Sequence, residues 1–101
     1  MFIYNVTIKV LHEISSDWLE WLKEEHIPEV LATGCFTNAT IHRLLEVDDA
    51  EGPTYAIQYK VESKASYNLY IDKHAGALRE KSYIKWGDKF IAFRSLMQVV
   101  N

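Results

Sequence analysis

Hydrophobic and polar residues alternate along four stretches of the chain, a pattern typical of β-strands that bury one face. In the first stretch the even-numbered positions from Phe2 to Val10 are apolar, and Asn5, Thr7 and Lys9 lie between them. The alternation recurs three times and predicts strands at residues 2–12, 35–46, 54–62 and 89–100.

Two longer stretches repeat apolar residues every three or four positions, as amphipathic helices do. The first follows the capping residues Ser15, Ser16 and Asp17 and ends at Gly34, and the second runs from Ser63 to about Trp86. The order β-α-β-β-α-β predicts one ferredoxin-like α+β domain over residues 1–101. In that fold, both helices cover one face of a four-stranded antiparallel sheet.

Each predicted helix contains one residue that disfavours a regular helix. Pro28 has no N–H and crowds the carbonyl of Glu24, and it disfavours helical geometry at Ile27, which predicts a kink or a restart. Gly76 lowers helix propensity and predicts a close contact or a bend in the second helix.

The two faces of the predicted sheet differ in polarity. The residues expected beneath the helices are Tyr4, Val6, Ile8, Ile41, Ile57, Tyr59 and Phe93. The polar residues expected on the other face are Asn5, Thr7, Asn38, Thr40, His42, Gln58 and Arg94. The same face is expected to carry Phe36, Leu44, Ala56, Phe90, Ala92 and Leu96.

That second face has too large an apolar share for a surface in water. We therefore predict a homodimer in which a second copy covers this face and closes a half-polar chamber. The alternative is a sheet with one face in solvent, which is common among antiparallel sheets.

Composition excludes several classes of protein. The net charge is −3 and no dense Lys/Arg patch occurs, so nucleic acid is not an expected partner. No apolar run reaches membrane-span length, and the first ten residues lack the pattern of a secretory signal, so we expect a cytoplasmic protein. Cys35 is the single cysteine, which excludes an intrachain disulfide.

Four segments resemble the uncharacterised DUF4286 family of small bacterial proteins: YNVT, WLEWLKEEHIPEVLATGCF, TYAIQY and LREKSYIKWGDKFIAFR. The resemblance covers nearly the whole chain, and HIPEVLATG and GDKFIAFR are its more specific parts. It implies a dimeric α+β barrel, of the superfamily that includes small monooxygenases, haem-degrading enzymes and lactone isomerases. It implies no activity, because the family has none assigned.

Five residues are candidates for binding a ligand: Asn5, His26, Thr40, His42 and Arg94. His26 lies on the apolar stripe of the first helix, where an imidazole would act as a general base or orient a ligand at the mouth of a pocket. Alternatively, His26 bonds a carbonyl that Pro28 leaves free and fills space.

The other candidates follow from strand parity, which places them on the face assigned to the chamber. His42 shares that face with Asn5 and Thr40, and its alternative is a half-exposed strand histidine. Arg94 would hold a carboxylate or phosphate with its guanidinium fork, or else pair with Glu46 or another acid across the dimer.

Motifs of other chemistries are absent from the sequence. It has no Gly-rich phosphate loop, no H-E-x-x-H, no G-x-S-x-G and no cysteine pair. His74 alone is weak support for haem. We therefore predict no cofactor and no metal site.

Three functional hypotheses remain. The first is a dimer that binds a small, partly apolar molecule between sheet and helices, with or without cofactor-free monooxygenase- or isomerase-like chemistry. The second is a non-catalytic protein-interaction module, and the third is a ligand sensor without turnover. A cavity of roughly several hundred Å³ lined by Asn5, Thr40, His42 and Arg94 would favour ligand binding, and a dry dimer core filled by side chains would favour the interaction module.

Overall fold

The computed structural model describes residues 1–101 and contains one four-stranded antiparallel sheet. Its strands are β1 (Phe2–Val10), β2 (Asn38–Arg43), β3 (Thr54–Val61) and β4 (Phe90–Gln98). Their order across the sheet is β2-β3-β1-β4, so that the first and third strands are central. This is the ferredoxin-like order, and the predicted fold is confirmed.

Two helical segments lie on one face of the sheet. The first comprises a 3-10 turn (His12–Ile14), α1 (Ser15–Trp21), a π-helical turn (Leu22–His26) and α2 (Ile27–Ala32). The second comprises α3 (Lys64–Tyr70), a π-helical turn (Ile71–Ala75) and α4 (Gly76–Trp86). All of these helices are too short or too polar to cross a membrane.

The first helix accommodates Pro28 without a break. Ile27 has helical dihedrals (φ −60°, ψ −45°), although Pro28 was expected to disfavour them there. Instead, the N–H of Ile27 donates to the carbonyl of Leu22, five residues back, in the π-helical pattern. The wider turn inserts one extra residue before the proline, and it ends at His26.

The second helix begins as predicted and is irregular at a different residue from the one expected. Ser63 caps it, since its hydroxyl oxygen accepts the backbone N–H of Ser66 at 3.1 Å. Gly76 itself is regular, and a Cβ placed on it would meet no heavy atom within 4 Å. The expected close contact at Gly76 is therefore absent, and the irregularity is the π-helical turn just before it.

Three strands present the predicted residues to the helices. Tyr4 pairs with Tyr59 and Val6 with Ile57 across β1 and β3, so these side chains share the covered face. Ile41 lies opposite Ile57 on the same side. The core between this face and the helices is almost wholly apolar, and Trp18, Leu22 and Val30 enter it from the first helix.

The fourth strand has the opposite parity to the one predicted. Arg94 pairs with Val6 and Ala92 with Ile8, so Phe90, Ala92, Arg94 and Leu96 face the helices. Phe93 pairs with Thr7, lies on the open face and is 71% exposed, so its predicted position beneath the helices was wrong. Alternation predicted the wrong face because the even-numbered and the odd-numbered residues of this strand are both largely apolar.

Phe36 was also assigned to the wrong face. Because β2 begins at Asn38, strand parity does not extend back to Phe36, and its side chain turns into the core. There its ring stacks on Tyr4 at 5.8 Å and meets Tyr70 edge-on at 4.7 Å between centroids. Leu44 follows the last residue of β2, so strand parity does not assign its side chain to either face of the sheet.

Candidate functional site

A small cavity of about 50 Å³ lies between the sheet and the two helices. At roughly 10–15 Å³ for each water, it has room for about three to five water molecules. Most of its wall is apolar or aromatic. Its polar side chains are Tyr4, His26, Tyr59, Tyr70, Arg79, Ser82 and Arg94.

His26 reaches this cavity from the end of the π-helical turn in the first helix. Its ring stacks on Trp21, with the centroids 4.8 Å apart and the planes inclined by 23°. His26 and Trp21 also line a polar groove between the two helices, of about 190 Å³. His26 therefore lies between the inner cavity and the outer groove.

The groove is bridged by an ion pair between the helices. Nζ of Lys81 lies 2.8 Å from a carboxylate oxygen of Glu29, and Glu25 and Lys85 also line the groove. The pair is exposed, so its contribution to stability is small. Its geometric effect is to hold the second helix against the first beside His26.

Burial lowers the pKa of His26 from its ordinary value of 6.5 to about 4. The nearby Glu29 carboxylate acts in the opposite direction, whereas the positive charges of Arg94 and Lys81 lower the pKa further. The imidazole is therefore neutral at physiological pH, with one nitrogen that donates a hydrogen bond and one that accepts.

This shift gives the stability a pH dependence. Between pH 6.5 and about 4 the unfolded chain binds a proton at His26 that the folded chain does not, so stability falls as the pH falls through this window. For His26→Gln, we expect this loss to be smaller than in the wild type by roughly 2 kcal/mol. Chemical denaturation from pH 7 to pH 4 measures the difference, and equal pH dependence in the two proteins would contradict it.

Three tyrosines form an aromatic cluster along the inner wall. The ring of Tyr4 lies 6.0 Å from that of Tyr59 and 5.8 Å from that of Tyr70, between centroids. Burial raises the pKa of both Tyr59 and Tyr70 well above 10. Their hydroxyl groups therefore stay protonated and are available as hydrogen-bond donors.

Two arginines complete the polar part of the wall. Arg79, from α4, donates from Nη2 to the hydroxyl oxygen of Tyr4 at 3.1 Å. Arg94 comes from β4, and within the chain it makes no ion pair and no side-chain hydrogen bond.

The structure separates the five predicted candidates by face. His26 and Arg94 line the cavity, so the placement of Arg94 on the open face was wrong. Asn5, Thr40 and His42 lie on the open face, as their parity predicts. The amide of Asn5 donates to the hydroxyl of Thr7 at 3.0 Å, and Thr40 Oγ1 lies 2.9 Å from Nε2 of His42. Arg94 therefore cannot line a chamber on the open face together with Asn5, Thr40 and His42. The cavity beneath the helices, at about 50 Å³, is also smaller than the roughly several hundred Å³ expected of a ligand chamber.

Five polar residues of the cavity wall were not predicted as site residues: Tyr4, Tyr59, Tyr70, Arg79 and Ser82. Tyrosines at predicted core positions could have indicated a polar wall, because a buried phenol carries a hydroxyl group that needs a hydrogen-bond partner. For Arg79 there was no signal, since a charged helix residue ordinarily reads as solvent-exposed. No group of three or more His, Cys, Asp or Glu residues stands close enough to hold a metal ion.

Solved structures share this fold at low sequence identity. A dimeric ferredoxin-like protein from an uncultured marine organism has a TM-score of 0.69 and 15% identity, over 99% of this chain and 95% of that chain. An ethyl tert-butyl ether d (EthD) family protein from Bacillus halodurans has a TM-score of 0.68 and 12% identity, over 99% and 100%.

A third similar structure is SnoaB, a cofactor-independent oxygenase from Streptomyces nogalater. Its TM-score is 0.65 at 12% identity, over 99% of this chain and 94% of that chain. At such identities the likeness establishes the fold alone.

Sequence comparison identifies the family but no activity. No curated protein matches the chain. The model of a domain of unknown function, DUF4286, matches residues 1–100. The chain therefore belongs to the DUF4286 family.

Proposed function

We propose that the protein is a homodimer in which each chain binds a small, partly apolar molecule in the cavity between sheet and helices. The observation that carries the proposal is the wall of that cavity. It combines aromatic rings with a neutral imidazole and a guanidinium that has no partner in the chain, at His26 and Arg94. Ligand sites in proteins typically have such a wall, mostly apolar with a few convergent polar groups.

The second copy is proposed to cover the open face of the sheet. On its β4 side this face presents a patch of exposed apolar residues, here called the β4 patch: Ile91, Phe93 and Met97, which are 60%, 71% and 39% exposed. Apolar residues grouped in this way favour association with another surface. A structurally similar protein from a marine organism is itself described as dimeric.

On this proposal the polar half of the open face lies at the dimer contact and not at the ligand. Asn5, Thr40 and His42 then give the interface hydrogen-bonding groups beside the apolar β4 patch. We assign ligand contact to His26 and Arg94 among the five candidates.

His26 is proposed to orient the ligand. With a pKa near 4, the free imidazole is a weak base at neutral pH, which makes proton abstraction a poorer role for it. A bound acidic group would raise that pKa, because an opposite charge nearby favours the protonated ring.

Cofactor-free monooxygenase- or isomerase-like chemistry is the second candidate function. It is supported by the fold shared with SnoaB, a cofactor-independent oxygenase. Such chemistry asks little of the protein when the substrate supplies the reactive carbanion, so orientation by His26 and Arg94 would be the main contribution. A non-catalytic ligand sensor would use the same cavity without turnover, and an interaction module would use the open face.

Blocking the cavity tests the proposal. We expect single-ring aromatic probes such as phenol to raise the melting temperature of the wild type by several degrees at saturating concentrations. Ser82→Phe fills the cavity and should abolish this rise, whereas Ser16→Phe, at an exposed position of the first helix, should retain it. No rise in the wild type, or an equal rise in Ser82→Phe, would contradict the proposal.

A further inference from the structure

We propose that the ligand carries an anionic group, a carboxylate on a small aromatic ring, and that Arg79 and Arg94 hold this group between them. The inference rests on the proposed function and adds the chemical class of the ligand. It follows from the charges in the cavity wall, from the positions of the two arginines and from the rings beside them.

The cavity wall contains two positive charges and no carboxylate. None of its fifteen residues is Asp or Glu, although the chain has 14 acidic residues against 11 Lys and Arg. The third arginine of the chain, Arg43, does have an acidic partner, Asp49, at 3.4 Å. Arg79 bonds only the phenol of Tyr4, and Arg94 has no partner at all.

These two guanidinium groups line one cavity of an acidic chain and neither has a carboxylate partner, so both are available to an anionic ligand. A guanidinium fork binds a carboxylate with two parallel hydrogen bonds, and such charge-assisted bonds are about twice as strong as neutral ones. A neutral apolar ligand would give neither guanidinium an anionic acceptor, and a cationic ligand would be repelled.

The two arginines approach the cavity from opposite walls. Arg79 comes from α4 above the sheet and Arg94 from β4 within it, where it pairs with Val6. Both arginines line the same small cavity as the phenol of Tyr70. A carboxylate beside Tyr70 would therefore meet one fork from each side and could accept the phenolic O–H as well.

The ring of the ligand has a matching surface. Trp18, Leu22, Ile57, Tyr59 and Phe90 supply flat and apolar wall on the inner side of the cavity. A ring with a carboxylate is larger than the present volume of about 50 Å³. Both arginines are exposed residues with long side chains, so we expect them to be the part of the wall that moves outward when the ligand enters.

The experiment compares benzoate with benzamide, two compounds of nearly equal shape that differ in charge. Each is titrated into ¹⁵N-labelled protein at low ionic strength, in a buffer without carboxylate or phosphate. We expect benzoate to bind about tenfold more tightly than benzamide, and Arg79→Gln and Arg94→Gln each to weaken benzoate binding about tenfold. Benzamide binding should change little in either variant.

Arg43→Gln is the matched control, because it removes an arginine that does not line the cavity and should leave benzoate binding unchanged. Arg94→Lys keeps the positive charge without the guanidinium fork, so its affinity for benzoate should lie between those of the wild type and Arg94→Gln. Equal affinity for the two compounds, or unchanged benzoate binding in both glutamine variants, overturns the inference of an anionic ligand. Either result is compatible with the proposed binding of a small molecule in the cavity. Binding of neither compound overturns the inference and also counts against the proposed function.

Discussion

Replacing Gly52 by alanine is expected to lower the free energy of unfolding by about 3 kcal/mol or more. A Cβ at this position would overlap the backbone carbonyl oxygen of Val10 and also crowd the N–H of His12. The backbone itself has to move, because no flexible side chain can yield. A domain of this size is stabilised by only about 5–15 kcal/mol in total, so the variant would lose a large part of its stability.

The structural reason is that the acidic turn before β3, residues 48–53, is held against the end of β1. The N–H of Val10 donates to the carbonyl of Pro53, and that of His12 to the carbonyl of Glu51. Gly76→Ala is the matched control, since a methyl group there meets nothing and helix propensity favours alanine by about 1 kcal/mol. Urea denaturation measures both, and a Gly52→Ala protein as stable as the wild type would contradict this packing.

Phe93→Asp is expected to convert a dimer into a single chain. Phe93 is the most exposed member of the β4 patch, and a carboxylate there would be buried without a partner in the interface. Light scattering at micromolar concentration should give about twice the 11.8 kDa chain mass for the wild type and the single-chain mass for the variant.

Ile84→Asp controls for the general effect of replacing an exposed apolar residue. Ile84 is 77% exposed on α4, outside the open face, and its replacement should leave the dimer intact. A single-chain mass for the wild type would rule out the homodimer, and a dimeric Phe93→Asp would show that the β4 patch is not the contact.

The alternation of apolar residues predicted three strands in the correct orientation because only one face of each is apolar. In β4 the odd positions Ile91 and Phe93 are as apolar as the even positions Phe90 and Ala92, so alternation alone did not decide. Pairing with β1 decides, since Val6 lies opposite Arg94. A strand with two apolar faces agrees with the proposed dimer, in which both faces of the sheet are covered.

The positions of the candidate residues were predicted in part. The helical spacing correctly placed His26 on the buried side of the first helix, but the π-helical turn that brings it to the cavity is not visible in the sequence. Parity correctly grouped Asn5, Thr40 and His42, and it could not tell that Arg94 lies on the other side of the sheet. Arg79 is brought to Tyr4 by packing across 75 residues of sequence, a contact that no local pattern encodes.

The two faces of the sheet are assigned different partners, a ligand beneath the helices and a second copy on the open face. One titration distinguishes the faces, because side-chain N–H signals report on each of them in the same ¹⁵N spectrum. The indole groups of Trp18 and Trp21 line the cavity, whereas the side-chain amides of Asn5 and Gln58 lie on the open face. On addition of phenol, we expect the two indole signals to shift saturably and the two amide signals to stay in place. Shifts of the amide signals with unmoved indole signals would place the ligand on the open face and contradict the assignment.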